Sequence, residues 1–424
     1  MIDLKQFRQD PEGFRRKLLR RQDPTLDEPL GRLEDLDRRW RVALGEVEAL
    51  KAERNAASEE VARRKRAQEP ADELLASLKV SSERVKALDA QAKDLEALLE
   101  GTALLIPNLP HQALPDGDAN ANRIVRTVGE PRQFDFRPKP HWELGEALGL
   151  FDLPRGAKIS GSGFPLFRGL GARLVRALAG FMLDLHTREH GYLEVLPPYL
   201  VSRATLTGTG QLPKFEDDMY RTEDDLFLIP TAEVPLTNIY RDEILEATAL
   251  PMGLVAFTPC FRREAFSHGK DTRGLIRVHQ FDKVELVRLC PPASGDGEHA
   301  LLTGHAETVL QRLGLGYRVL ELAAGDTGFA SARTFDLEAW APGTAAWLEV
   351  SSSSTFTDFQ ARRANLRFRP APGAKPEFVH TLNASALAFP RTIIAILENN
   401  QDADGSVRVP DALKPYLGVD RLTP

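Results

Sequence analysis

The chain has 424 residues, a formal net charge of −6, 42% hydrophobic residues and 27% charged residues. This profile fits a soluble globular protein of about two or three domains. It excludes a disulfide mini-protein, a collagen-like chain and a wholly disordered one. The acidic balance argues against non-specific coating of nucleic acid, but leaves local basic patches open. Cys260 and Cys290 have no Cys-x-x-Cys spacing. They form neither a disulfide framework nor a thiol-rich zinc site, and are expected to be reduced thiols of a cytoplasmic protein. The charged start, MIDLKQFRQDPEG, lacks the apolar run of a signal peptide. No run of about 18 apolar residues is available to span a membrane.

Residues 1–21 hold Lys5, Arg8, Arg15, Arg16, Lys17, Arg20 and Arg21 against Asp3, Asp10 and Glu12. This is a basic segment in an acidic chain. From Leu33 the residues Leu36, Trp40, Ala43, Val47, Leu50, Arg54, Ala57 and Val61 alternate at spacings of three and four. That is the seam of a coiled coil, broken once by Arg54. Gln68-Glu69-Pro70 interrupts it. A second series runs through Leu74, Leu78, Ser81, Val85, Leu88, Ala92, Leu95 and Leu99. Two stripes joined by a short break predict an antiparallel helical hairpin with wide polar faces. Arg63-Arg64-Lys65-Arg66 lies just before the turn. It is either a solvated charge run or a site for phosphates.

Pro107, Pro110, Pro115 and Gly117, followed by Asp-Ala-Asn-Ala-Asn, mark residues 105–123 as a linker without lasting helix or strand. Beyond Phe134, short β-prone runs alternate with amphipathic helices. These runs are Leu226–Ile229, Leu254–Arg262, Val278–Val287, Tyr317–Leu322 and Ala346–Ser351. Gly-rich crossover turns are missing, so the expected class is α+β with a largely antiparallel sheet.

Several common signatures are absent, among them the P-loop, Gly-x-Gly-x-x-Gly and His-Glu-x-x-His. His186 and His190 have metal-like spacing, but no Cys is near and no acid continues their stripe. They read as core or surface histidines. The densest chemistry lies in residues 258–285. A β-prone segment ends in Phe261-Arg262-Arg263-Glu264. A loop with Gly269, Asp271 and Gly274 follows, and a second β-prone segment starts at Leu275. Arginines at a strand end can fork onto phosphate oxygens. Strand alternation puts Phe281, Lys283 and Glu285 on one face. A salt-bridged hairpin would show the same pattern.

This run resembles the second signature motif of class II aminoacyl-tRNA synthetases. The whole chain resembles the bacterial type of the seryl-tRNA synthetase family. The likeness is carried jointly by Ile106-Pro-Asn-Leu-Pro-His, Ile159-Ser-Gly-Ser-Gly-Phe, Gly191-Tyr-Leu-Glu-Val-Leu-Pro-Pro, Thr231-Ala-Glu-Val-Pro-Leu and Leu382-Asn-Ala-Ser-Ala-Leu-Ala-Phe-Pro-Arg391. In the last, Ala384, Ala386 and Pro390 stand where the family often has glycine.

The resemblance implies roles. Arg262 would grip the ATP α-phosphate and Arg263 would flank it. Glu264 would meet the adenine edge and Phe281 would stack on the ring. Arg277 and Arg391 would hold the far phosphates, with Arg262 and Arg391 as the catalytic pair. Glu349 and Ser352 would ligate Mg2+, with Val350 and Ser351 beside them in the ATP site. Thr231, Ala232, Glu233, Arg262, Glu285 and Ser385 would form the L-serine pocket. A zinc site is not expected. The implied reaction is ATP-dependent ligation of serine to the 3′ end of serine tRNA through a seryl-adenylate, releasing pyrophosphate and AMP. Selenocysteine tRNA is an allowed second acceptor.

The implied domains are a tRNA-binding coiled-coil domain over 1–104 and a catalytic domain over 105–424. Arg63, Arg64, Lys65 and Arg66, with the basic N-terminal segment, would contact tRNA. The Gly191–Pro198 stretch resembles the first class II motif and implies a homodimer. Two other readings fit parts of the sequence. One is a paralogue charging a carrier protein, which the intact arm disfavours. The other is a non-enzymatic coiled-coil module, disfavoured by Arg262, Glu285, Glu349 and Arg391 together.

Overall fold

A computed structural model describes residues 1–264 and 273–423; Gly269 and Asp271 of the expected loop lie outside the described residues. The chain divides into two compact units. One comprises residues 23–107, and the other residues 3–22 together with 108–424.

Two short helices open the second unit, α1 (Leu4–Gln9) and α2 (Pro11–Leu19). Asp3 caps the first by accepting from the backbone N–H groups of Lys5 and Gln6. Asp10 caps the second by accepting from Gly13, and Pro11 fits the first turn, where its missing N–H costs no bond. Phe7, Phe14 and Leu18 are buried. The basic segment is therefore not one free cationic helix. Arg20 pairs with Asp116 and donates to the carbonyls of His111 and Leu114. Arg21 is likewise committed to backbone carbonyls. Arg16 and Lys17 are exposed.

The first-named unit is the helical hairpin, α3 (Asp27–Arg66) and α4 (Asp72–Ala103). At 1.5 Å per residue these helices span about 60 and 48 Å. Toward the base of the hairpin most heptad positions are buried. Leu33, Leu36, Ala43 and Val47 on α3, and Val85, Leu88, Ala92, Leu95 and Leu99 on α4, are buried. Toward the turn the seam residues Leu50, Arg54, Ala57, Leu74, Leu78 and Ser81 are only half-buried. Small and polar side chains there fill less of the space between helices. Lys51 pairs across the hairpin with Asp89 at 2.9 Å. The turn falls where Gln68-Glu69-Pro70 predicts it, with Gln68 at φ 57.

The expected linker is less irregular than its composition suggests. Asp118 caps a short 3₁₀ turn at Ala119–Ala121 by accepting from the Asn120 N–H. The first strand begins at Arg123.

Among the described residues, eight strands form the main sheet. They are β1 (Arg123–Val128), β2 (Leu193–Glu194), β3 (Met252–Phe261), β4 (Gln280–Cys290), β5 (Tyr317–Glu321), β6 (Arg333–Ala341), β7 (Ala346–Thr357) and β8 (His380–Ala388). The order is β1-β5-β6-β7-β8-β4-β3-β2. Every neighbouring pair is antiparallel except β2 with β3. The fold is thus α+β, as the pattern of runs predicts.

Helices α5 (Leu170–Arg188), α6 (Gly295–Arg312) and α8 (Phe389–Asn400) pack apolar faces on this sheet, and a short helix, α7 (Phe359–Arg363), precedes α8. Leu178, Met182, Leu286, Leu302, Val309, Ile394 and Leu397 form part of one core. Such burial contributes about 1.5–3 kcal/mol for each large aliphatic side chain.

His186 is buried and His190 half-buried; neither sits in a metal-like cluster. Their Nδ1 atoms lie 2.9 Å apart, so one ring donates to the other. His190 stacks on His305 with ring centroids 4.0 Å apart. Burial and the neighbouring imidazole charge push His186 down to about 3 and His305 down to about 4. His186 and His305 are thus neutral near pH 7, and His186 belongs to the buried interior.

Candidate active site

Strands β3 and β4 form a long antiparallel pair, with Cys260 opposite Phe281 and Phe261 opposite Gln280. Arg262 follows immediately after β3. Its backbone N–H donates to the carbonyl of His279, and its own carbonyl lies 2.9 Å from His279 Nδ1. The strand end is therefore fixed while the guanidinium reaches out. That group lies 5.2 Å over the Phe281 ring, a cation–π contact. Gly274, at φ 68, begins the return toward β4. A Cβ there would meet His141 Nε2 at 2.2 Å, so glycine is required. His141 Nε2 in turn accepts from the Leu275 N–H, and its other nitrogen meets Glu398 at 2.9 Å.

Two adjoining cavities open over this end of the sheet. The first is lined by Arg262, Glu264, Arg277, Phe281, Glu349, Val350 and Arg391. It is cationic, with one aromatic floor. Glu264 pairs with Arg277. Arg391, at the start of α8, donates to the Glu349 carboxylate at 3.1 Å and to the Ile276 carbonyl at 3.2 Å. Pro390 falls in the first helical turn, so its lack of an N–H is harmless there. Arg263 is exposed beside Arg262 and does not line this cavity.

The aim of Glu349 and its neighbours is set by a β-bulge. Glu349 pairs with Glu338, but Ser351 pairs with Leu337, so one residue is inserted between them. Strict alternation would send Glu349 and Ser351 to one face. Instead Glu349, Ser352 and Ser354 line the second cavity. Ser351 faces away, and its hydroxyl donates to the Ser385 carbonyl at 2.5 Å. The Ser351 side chain thus does not join the expected ATP contacts. Asp336, opposite Ser352 in the β6–β7 ladder, has one buried oxygen without a partner. Burial and the charge of Glu349 raise its carboxyl well above the usual range.

The second cavity also contains Thr231, Glu233, Arg262, Lys283, Asn383 and Ser385, and is walled by Gly328–Ser331. Glu233 is buried. It accepts from Gln360 Nε2 at 2.6 Å and from Asn383 Nδ2 at 3.0 Å. Asn383 Nδ2 also donates to Glu285 at 2.8 Å. Lys283 pairs with Glu285 and donates to the Thr231 hydroxyl at 3.0 Å. Burial first, and the Glu285 charge second, raise the Glu233 carboxyl to about 7. Glu285 thus stands one layer behind the surface, holding Lys283 and Asn383. Ala232 is packed in a hydrophobic cluster with Leu236 and Leu254 rather than exposed to the cavity.

Three residues here carried no assignment in the sequence. Lys283 sits two before Glu285 on a strand, and Asn383 two before Ser385, so alternation could have found both. Gln360, on α7, carries no local signal. Cys260 is buried, with its sulfur near Thr258. Among the described residues, no group of three or more His, Cys, Asp or Glu is placed to hold a metal ion.

In the hairpin, Arg63 and Arg64 both pair with Glu60, and Arg63 also reaches Glu69. Arg66 donates to the Ala62 carbonyl at 3.2 Å, and Lys65 is exposed. Acids therefore offset part of the cationic tip, which the four-residue run alone did not reveal.

The chain matches known proteins along its whole length. The family model described as seryl-tRNA synthetase N-terminal domain matches residues 1–110, and that described as tRNA synthetase class II core domain (G, H, P, S and T) matches residues 214–400. The chain is 56% identical over 420 residues to a serine–tRNA ligase of Gemmatimonas aurantiaca, covering 99% of both chains. It is 53% identical to one of Geobacter sulfurreducens, again over 99% of both. Among solved structures, seryl-tRNA synthetase from Pyrococcus horikoshii complexed with ATP superposes with a TM-score of 0.96 at 38% identity, covering all of both chains. The cytoplasmic serine–tRNA ligase of Naegleria fowleri in complex with AMP gives 0.88 at 27% identity, covering 98% of this chain and 96% of that one. With two domain matches in the expected order and such identity along its whole length, the chain belongs to the seryl-tRNA synthetase family.

Proposed function

We propose that this protein ligates L-serine to the 3′ end of serine tRNA in two steps, with ATP as the energy source. The observation that carries the reading is the pair of adjoining cavities sharing Arg262. One has cations and an aromatic floor suited to a nucleotide triphosphate; the other has carboxylates and hydroxyls suited to serine. Phe281 offers the ring for adenine, with Glu264 at its edge and Arg263 beside Arg262 at the mouth of the ATP site. Arg277 and Arg391 meet the outer phosphates, and Val350 and the Ser351 main chain complete that wall. Thr231, Glu233 and Ser385 face the amino acid directly, while Ala232 and Glu285 support them from behind.

The serine carboxylate is already a nucleophile at neutral pH, so the first step needs no dedicated base. It attacks the α-phosphorus, forms the adenylate and expels pyrophosphate. Catalysis is then mainly positioning and neutralisation of developing charge. Arg262 stands between the two cavities and can fork onto the α-phosphate. In the second step the terminal ribose hydroxyl of tRNA attacks the adenylate and AMP leaves. A pocket that hydrogen-bonds the serine hydroxyl rejects alanine strongly.

Glu349 and Ser352 suit Mg2+. Both present hard oxygen donors to the cavity, and Asp336 adds an unpartnered buried oxygen behind them. When bound there, Mg2+ would neutralise phosphate charge. The same reading takes residues 1–104 as the tRNA-binding domain and 105–424 as the catalytic domain. Serine tRNA, with selenocysteine tRNA as an allowed second acceptor, would meet Arg63, Arg64, Lys65 and Arg66. A homodimer is supported by Leu193 and Leu196, 60% and 80% exposed on and beside the edge strand β2. Two buried free thiols suit the cytoplasm. No described helix is long and apolar enough to cross a membrane.

Serine-dependent ATP–pyrophosphate exchange, followed by transfer to serine tRNA, tests the whole reading. Exchange without transfer would favour a carrier-charging relative, and neither would favour a binding module. A pH series adds a sharper check. Serine arrives with an ammonium group, which favours ionised Glu233, so the proton on Glu233 competes with the substrate. Since that carboxyl is raised to about 7, kcat/KM for serine should fall about tenfold per pH unit below that point and level off above it. Glu233→Gln should remove the inflection. A serine kcat/KM independent of pH between about 5.5 and 8 would contradict this assignment.

A further inference from the structure

One wall of the second cavity is formed by Gly328–Ser331, in a loop, Thr327–Ser331, that belongs to no helix or strand. An irregular segment beside a cavity must send its carbonyls somewhere. Here each of the five consecutive carbonyls accepts a hydrogen bond from Arg21 or Asn108, and Gly328 accepts a second one from the Ser331 N–H at 3.1 Å. Arg21 Nη1 donates to Thr327 and Gly328 at 2.9 and 3.1 Å, and its Nη2 donates to Ser331 at 2.6 Å. The Asn108 backbone N–H donates to Phe329 at 2.9 Å, and its side-chain amide donates to Ala330 at 3.0 Å.

The two clamping residues also hold each other and the sheet. Arg21 Nε donates to the Asn108 carbonyl at 2.6 Å, and Asn108 Nδ2 reaches the Phe356 carbonyl at 2.8 Å. Both are buried, at 6% and 7% exposure. The approach of this strap is also close. A Cβ on Gly325 would meet the Gly117 carbonyl at 2.6 Å and the Arg21 carbonyl at 3.3 Å. Lysine could not replace Arg21, because its three donors sit on one nitrogen, whereas the planar fork spans the four carbonyls of Asn108, Thr327, Gly328 and Ser331.

We infer that Arg21 and Asn108 are positioning residues for the amino-acid pocket: by holding the five carbonyls of residues 327–331, they set where the wall facing Thr231, Glu233 and Ser385 stands. They touch no reacting atom. The inference rests on the proposed serine site, but it concerns residues outside every quoted site motif except Asn108 of Ile106–His111. It also separates from a generic role in stability. Residues 328–331 line the second cavity and not the first. Release of the wall should therefore be felt by serine and not by ATP.

The test uses full-length Arg21→Met and Asn108→Ala in serine-dependent ATP–pyrophosphate exchange. The expected result is a rise in the serine KM of roughly tenfold, with the ATP KM within about twofold and kcat within about threefold, the signature of lost ground-state positioning. Arg21→Lys should resemble Arg21→Met. Hydrogen–deuterium exchange of a peptide covering 327–331 should speed up in both variants while peptides from β3 and β4 stay protected. If Arg21→Met does not fold, Asn108→Ala carries the same expectation with a smaller lesion. Unchanged serine KM in a folded variant, or equal rises for serine and ATP, overturns the inference, as does unaltered exchange of 327–331. Absence of serine-dependent exchange in the unmodified protein would instead refute the activity, and the hydrogen-exchange result would still decide whether the clamp holds the loop.

Discussion

Arg262→Ala should abolish adenylate formation while the protein stays folded. Few native contacts depend on this side chain. It is exposed, its Nε makes one long bond of 3.4 Å to the Pro230 carbonyl, and it rests over Phe281. The strand end is held by the backbone bond to His279 and not by the guanidinium. Surface substitutions of this kind usually change stability by less than about 0.5 kcal/mol. The catalytic loss should be far larger. Arg262 lines both cavities, as Lys283 does, but Arg262 alone of the two carries a fork, and on the proposed function it stands where charge develops on the α-phosphate. Removing one preorganised donor of this kind costs about 10²–10³ in kcat, and loss of the full charge takes exchange toward background. Arg262→Lys should rescue little, since a point charge cannot make two parallel bonds. ATP–pyrophosphate exchange and a melting curve on the same sample decide the matter. Near-normal exchange by Arg262→Ala would sink the assignment.

Deletion of residues 31–99 should spare serine activation and abolish tRNA charging. The hairpin buries its apolar stripe within itself, α3 against α4, so its loss leaves the remaining unit with its own core. Arg21 and Asn108 stay in place in this variant. Charging should fail because a helical hairpin with a cationic tip is the element suited to phosphate and shape recognition of folded RNA. The ion pairs of Arg63 and Arg64 with Glu60 refine this expectation. Lys65→Glu and Arg66→Glu should weaken charging more than Arg63→Ala, with a defect that shrinks as salt rises because fewer phosphate contacts remain to be screened. Unchanged charging by the deletion variant would refute the role of the arm.

The hairpin was legible because its determinants are local. Each heptad position that the spacing names is shielded, and the helix break falls at Gln68-Glu69-Pro70. The strand–loop–strand around Arg262 was legible for a similar reason. Its cations, its glycine and its alternating Phe281, Lys283 and Glu285 lie within one short stretch. The basic N-terminal segment was misleading in part. Composition shows Arg20 and Arg21 as free cations, whereas the fold places both against carbonyls of distant loops. A charge count cannot tell a guanidinium that awaits phosphate from one that already has its acceptors.

The sequence by itself determined the two helical stripes, the mainly antiparallel body and the arginine-bearing edge of the site, because periodicity and strand alternation act over a few residues. Only the tertiary structure decided which face Glu349 and Ser351 take, since one inserted residue in β7 reverses the alternation. It alone brought Gln360 to Glu233 across 127 positions, and Arg21 to Thr327 across 306. Those contacts exist because buried amides and carbonyls must find partners, and which partner is near is fixed by how the sheet and its loops pack.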